Sequence, residues 1–207
     1  MSSVRERVAL LALSAIITSA CGVNVARGSS ASTSRSTASS STSIVQSATS
    51  SSAPGGNKLP PACASSQLTI TDGRNGVGMG HSGGPILFRN HGSKTCFLKG
   101  YPGVEGLDAS GNQVTQAVRT PLGYLGGLPT MKALPPVVIL KPGDTASALV
   151  EGTDVPSGGS AQCPILYGLE VTAPNTHHST KLQGAPGDCS VLQIHPVVPG
   201  TTGSEVS

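Results

Sequence analysis

After residue 60, glycine and proline interrupt the chain so often that no ordinary core helix fits between them. The longest stretch free of both, residues 62–72, contains Leu68-Thr69-Ile70-Thr71, which alternates with the period of a strand. Short apolar runs of this kind predict strands over residues 67–71, 85–90, 95–98, 104–108, 113–119, 137–140, 145–151, 166–172, 177–182 and 190–195. Turn signals separate them: Asn90-His91-Gly92-Ser93, Lys141-Pro142-Gly143-Asp144 and Pro174-Asn175. Residues 96–114 read as a strand end, a turn, a second strand, a hairpin loop and a third strand. Tyr101-Pro102-Gly103-Val104 predicts a type II turn with Gly103 at positive φ, and residues 108–112 have the length and glycine of a hairpin loop. The expected fold is all-β, an antiparallel immunoglobulin-like β-sandwich over residues 60–200, followed by a disordered tail at 201–207.

The first 59 residues follow other rules. Arg5 and Arg7 precede an apolar run at residues 8–17 and small residues up to Ala20, the order of a secretory signal peptide over residues 1–20. The run is too short for a membrane span, which needs about 20 residues. Cys21 directly after the small residues marks a lipoprotein box, although Thr18 stands where such boxes carry an aliphatic residue. Residues 21–59, dominated by Ser, Thr and Ala, bury too little apolar surface to order themselves and are expected to form a disordered tether behind a lipidated Cys21. The expected location is the extracytoplasmic face of the cell membrane, with plain secretion as the alternative.

Four further cysteines, Cys63, Cys96, Cys163 and Cys189, make an even set in an exported chain and predict two disulfides. Three pairings are open. The sequential one, Cys63–Cys96 and Cys163–Cys189, is favoured because each bond then ties neighbouring strands. No C-x-x-C spacing occurs, so zinc-ribbon and thioredoxin-like readings have no support. The formal net charge is +3, and within residues 60–200 acids and bases cancel, which removes the electrostatic footprint of a nucleic-acid binder.

Asn90-x-Gly92-x-x-x-Cys96-x-Leu98-x-Gly100-Tyr101-Pro102-Gly103-Val104, the block from Leu140 to Ala148, and Ile194-His195-Pro196-Val197 after a late cysteine form a recognisable set. Over residues 62–200 the chain resembles an actinobacterial, mycobacterial-type family of secreted or lipid-anchored domains of unknown function. The resemblance implies an all-β, disulfide-bearing extracytoplasmic domain and carries over no catalytic residue.

Candidate chemistry is sparse. Gly80-His81-Ser82-Gly83-Gly84-Pro85 matches a nucleophile elbow and a chymotrypsin-type serine motif, but no helix follows it and no histidine precedes His81. It reads better as a glycine-rich loop entering a strand. Met79, His81, His91, His177, His178 and His195 would suit copper, yet a cupredoxin-like site needs a free cysteine, and His177 and His178 are expected on opposite strand faces. Glu105 with Asp108, and Glu151 with Asp154, read as solvated charges at strand ends rather than a calcium or acid–base pair. Tyr167 is expected in the core, Phe97 facing out and Tyr101 over its own turn. No metal, cofactor or catalytic residue is assigned. The expected function is a non-catalytic binding or structural module of the cell envelope, partnered by the membrane through its anchor and by an envelope protein, wall or lipid component. A copper-handling protein is the alternative and a serine hydrolase the third reading. The surface to inspect for a binding role is residues 122–128, in the long Gly-, Leu- and Pro-rich connection 120–136.

Overall fold

The computed structural model describes residues 58–156 and 162–205. The signal peptide, Cys21 and the tether up to residue 57 lie outside the described residues. Thirteen strands follow one short 3-10 turn, Ser65–Gln67. They are β1 Leu68–Asp72, β2 Gly76–Gly78, β3 His81–Asn90, β4 Cys96–Lys99, β5 Gly103–Leu107, β6 Gln113–Gln116 and β7 Val118–Arg119. Then come β8 Val137–Leu140, β9 Thr145–Thr153, β10 Gly168–Thr172, β11 Ser179–Gln183, β12 Gln193–Ile194 and β13 Val198–Pro199.

A seven-stranded sheet runs β1-β3-β9-β12-β7, with β2 paired to β3 and β13 to β9. A four-stranded sheet runs β11-β10-β5-β6, and β4 pairs with β8 alone. Pairing is antiparallel except between β12 and β7. The inner faces meet in one aliphatic cluster: Ile86 and Phe88 of β3, Ala148 and Val150 of β9, Val104 of β5, Leu169 and Val171 of β10. Leu98 of β4 and Leu140 of β8 join it. Each fully buried large side chain there contributes about 1.5–3 kcal/mol by its removal from water. The fold class is therefore as expected, an all-β stack of sheets around one core. The disulfides are Cys63–Cys96 and Cys163–Cys189, the sequential pairing.

β3 is the longest strand, and it corrects the reading of 80–85 as a loop. His81 to Pro85 already pair with β9, Thr153 to Leu149. Glycine is required at position 83 because a Cβ there would run into Glu151. Pro85 is tolerated because its missing N–H falls in the gap between β1 and β2, where its carbonyl accepts from Gly73 at 2.7 Å.

Two other expectations fail for one reason: the chain changes sheets where a type II turn and one continuous strand are expected. Gly103 opens β5 and has no positive φ; the left-handed residue is Gly100, at φ 97°. β4 and β5 are not neighbours, so residues 100–102 carry the chain from the small sheet to the four-stranded one. Likewise 113–119 is two strands. Ala117 donates to Val104 of β5 and Val118 donates to Leu192, beside the seven-stranded sheet, so consecutive amides bond to different layers. Asn90, fully buried, closes the β3–β4 turn: its amide donates to Lys94 O at 2.9 Å and Leu140 O at 3.0 Å, and its Oδ1 accepts from Gly92 N. That accounts for the Asn90-x-Gly92 spacing.

β9 is buried along almost its whole length. Ala146, Ala148 and Val150 face the core. Ser147, Leu149 and Glu151 face the other way and are covered by the 120–128 loop and by residues 200–205. Gly203 N donates to Ser147 Oγ at 2.8 Å, and Glu205 N donates to Gly127 O at 2.9 Å. The tail expected at 201–207 is thus, for 201–205, a strap held against the sheet.

Candidate functional site

The outer face of β9 carries the most unusual chemistry in the domain. Glu151 is 2% exposed and His195, just after β12, is 0% exposed. They face each other with His195 Nε2 3.8 Å from Glu151 Oε1. A buried carboxylate needs donors, and two come from the loop above: Tyr124 N to Oε1 and Leu125 N to Oε2, each at 2.7 Å. His195 Nδ1 lies 2.9 Å from Thr120 O, and a carbonyl only accepts, so Nδ1 carries a hydrogen. Nε2 has no hydrogen-bond partner among the described residues. Gly123 is wedged against both side chains; a Cβ there would strike Glu151 Oε1 and His195 Nε2. The pair is a clasp that holds the 120–128 loop to the sheet.

Burial acts to raise the Glu151 carboxyl, but His195 and the Leu125 and Tyr124 amides outweigh it and hold it below the ordinary carboxylate value. A lowered folded-state pKa means stability that is fully present above the unfolded value, about 4.3, and lost as pH falls through the lower folded value. Acid unfolding of the domain should therefore show a component below pH about 4.3 that disappears in Glu151→Gln. Equilibrium denaturation between neutral and strongly acid pH measures it; an unchanged acid limb in the variant would remove the clasp as its cause.

The loop's far side meets solvent. Tyr124 stacks on His81, ring centroids 4.3 Å apart and planes 12° apart. Gly78 approaches Tyr124 and Leu125, and Gly80 lies against Val155 while its carbonyl accepts from Asp154 N at 3.0 Å. Met79, between the two glycines at the β2–β3 turn, has φ 48°, a left-handed conformation that costs a non-glycine residue roughly 1–2 kcal/mol. Met79 is 89% exposed, Val155 60% and Tyr124 54%. Apolar side chains from three separate segments thus gather at one end of the seven-stranded sheet. Of the expected surface at 122–128, Tyr124 is exposed; Leu128 is fully buried.

Other candidates scatter. Ser82 pairs with Gly152 and projects to the face opposite Glu151, where its Oγ accepts from Gly187 N at 2.8 Å. A serine, His195 and Glu151 therefore do not share a face. His177 and His178 precede β11 in an exposed connection rather than on opposite faces of a strand, and His91 is exposed in its turn. Among the described residues no three His, Cys, Asp or Glu side chains converge as a metal site requires. Glu151 is not a solvated partner of Asp154: one is buried, the other exposed. Tyr167 is not a core residue, being 54% exposed just ahead of β10. Phe97 lies on the face of β4 opposite the buried Cys96 and Leu98, as expected, and is partly covered there.

A match to the family described as Domain of unknown function (DUF4232) covers residues 63–198. The chain belongs to that family. The DUF4232 match begins at Cys63, takes in both disulfides, the Glu151–His195 clasp and the Met79 turn, and stops at Val198, before the strap. No curated protein and no solved structure matches the chain.

Proposed function

We propose that this DUF4232 domain is an extracytoplasmic binding module, tethered by a lipidated Cys21, that performs no catalysis of its own and meets an envelope protein through the Met79–Tyr124–Val155 end of its larger sheet. The gathered apolar surface at that end carries the reading. Exposed apolar side chains are ordinary singly, but a cluster held on rigid elements with a strained residue at its tip is a feature of contact sites. The two disulfides suit an oxidising compartment. Asp154, whose N–H donates to Gly80 O, places a negative charge beside this surface, which suits a protein contact better than an anionic bilayer.

A photoreactive diazirine residue placed at position 79 in producing cells should give a discrete protein adduct. The adduct should disappear when Tyr124→Ser and Val155→Ser are added, with the thermal midpoint little changed. Absence of an adduct above that from a probe at Ser179 would refute the contact surface. Mass spectrometry of the mature N-terminus tests the anchor separately: an unmodified start at Cys21 or beyond would remove it.

A further inference from the structure

On the outer face of the four-stranded sheet, away from the core, lies an open groove of about 140 Å³ between the β5–β6 hairpin loop and the start of β10. Its floor is Gly168, in register with Leu107 of β5 and Gln183 of β11, so the middle position of three strands carries no side chain. Leu107, buried yet outside the core cluster, adds an apolar base. Tyr167 stands at the edge with its backbone pinned on both sides: its N–H donates to Leu107 O at 2.8 Å and its carbonyl accepts from Gly184 N at 3.0 Å.

The polar groups are arranged ahead of any ligand. Asp108 Oδ1 accepts from Ser110 N and Asn112 N at 2.8 and 2.9 Å, which freezes the hairpin loop. Lys181 Nζ donates to Gly111 O at 3.1 Å and ties that loop to β11. The Gln183 amide and the Tyr167 hydroxyl make no hydrogen bond among the described residues and are available. The charges are Lys181 with Glu170 3.9 Å away, and Asp108 opposite, a balance that does not favour an anion.

We infer that this groove binds one ring of a neutral saccharide. A pyranose presents a face of C–H groups, which an aromatic ring and a leucine base can cover, and a rim of hydroxyls that both donate and accept. Gln183 and Lys181 supply donors, and Asp108 Oδ2 and Gln183 Oε1 supply acceptors. Few, fixed polar groups around a small apolar base are what a small-molecule site requires. The site goes beyond the proposed protein contact at Met79 and does not depend on it.

The test is an amide-resolved NMR titration of the chain with neutral oligosaccharides (triacetylchitotriose and mannotriose) and with a galacturonate trimer as the anionic comparison. At least one neutral sugar should shift Gly111, Gly168 and Gln183, and Tyr167→Ala and Gln183→Ala should each weaken it about tenfold, near 1.4 kcal/mol. Both positions are exposed, so the variants should fold as the parent does. No shift at these residues at millimolar sugar, affinity unchanged in Tyr167→Ala, or preference for the galacturonate would each overturn the assignment. The position-79 adduct should be unaffected by Tyr167→Ala, which separates failure here from failure of the protein-contact reading.

Discussion

Glu151→Ala should destabilise the domain by about 2 kcal/mol or more, the cost of leaving two buried amide donors unmade at about 1–3 kcal/mol each. Two groups lose their partner together, the Tyr124 and Leu125 amides, and the space left opens beside His195 Nε2, which has no hydrogen bond. Little of this is offset by relaxation, because Gly123 and Gly127 set the loop backbone tightly against Glu151 and His195. Glu151→Gln should fall between. It keeps an acceptor for one amide but turns an N–H toward the other, at a cost of about 1–3 kcal/mol for a buried donor left unmade. Urea midpoints at neutral pH measure both, and Glu151→Ala within about 1 kcal/mol of the parent would show that the loop is held by something else. The Tyr124–His81 stack should loosen in the same variant, so the proposed contact end depends on a side chain that never reaches it.

Removing the Cys63–Cys96 disulfide by a double alanine substitution should lower stability more than removing Cys163–Cys189. The sequence separations are 33 and 26, so loop closure alone predicts about 3–4 kcal/mol for either, with little between them. Packing separates them. Cys63 and Cys96 belong to the core cluster, whereas Cys163 and Cys189 are half-buried. The first pair thus adds a core cavity, at about 1 kcal/mol or more, to the entropic loss. Thermal melts of the two double variants without reductant give the order; the reverse order would mean that the second bond restrains more than its own loop.

Many of the strands are legible in the chain itself because they depend on local signals. Val137–Leu140 was read with its observed bounds, and β1, β4, β5 and β9 within a few residues, since alternation and flanking turns act over short distances. Sheet membership was not legible: the Pro102-Gly103 pair looks like a hairpin turn, but Gly100 bends the chain into another layer. β2 is hidden because Gly-Val-Gly has no pattern to read, and the start of β3 is hidden because Gly83 and Gly84 resemble a loop until Glu151 and Asn75 are seen against them. The clasp had one signal, a glutamate following the apolar run from Ala146 to Val150. What it lacks is the loop 26 and 27 residues earlier that supplies the amides. The alternation in Tyr167-x-Leu169-x-Val171 does not extend to Tyr167 because the strand begins only at Gly168.

The strap has a practical implication for recombinant work. The family boundary at Val198 would invite cutting the gene there, yet Ser147 Oγ and one flank of Leu149 rely on Gly203, and Gly127 O relies on Glu205. A truncation placed at the boundary would bare the back of the longest buried strand, so any expression plasmid for this domain should run at least through Glu205.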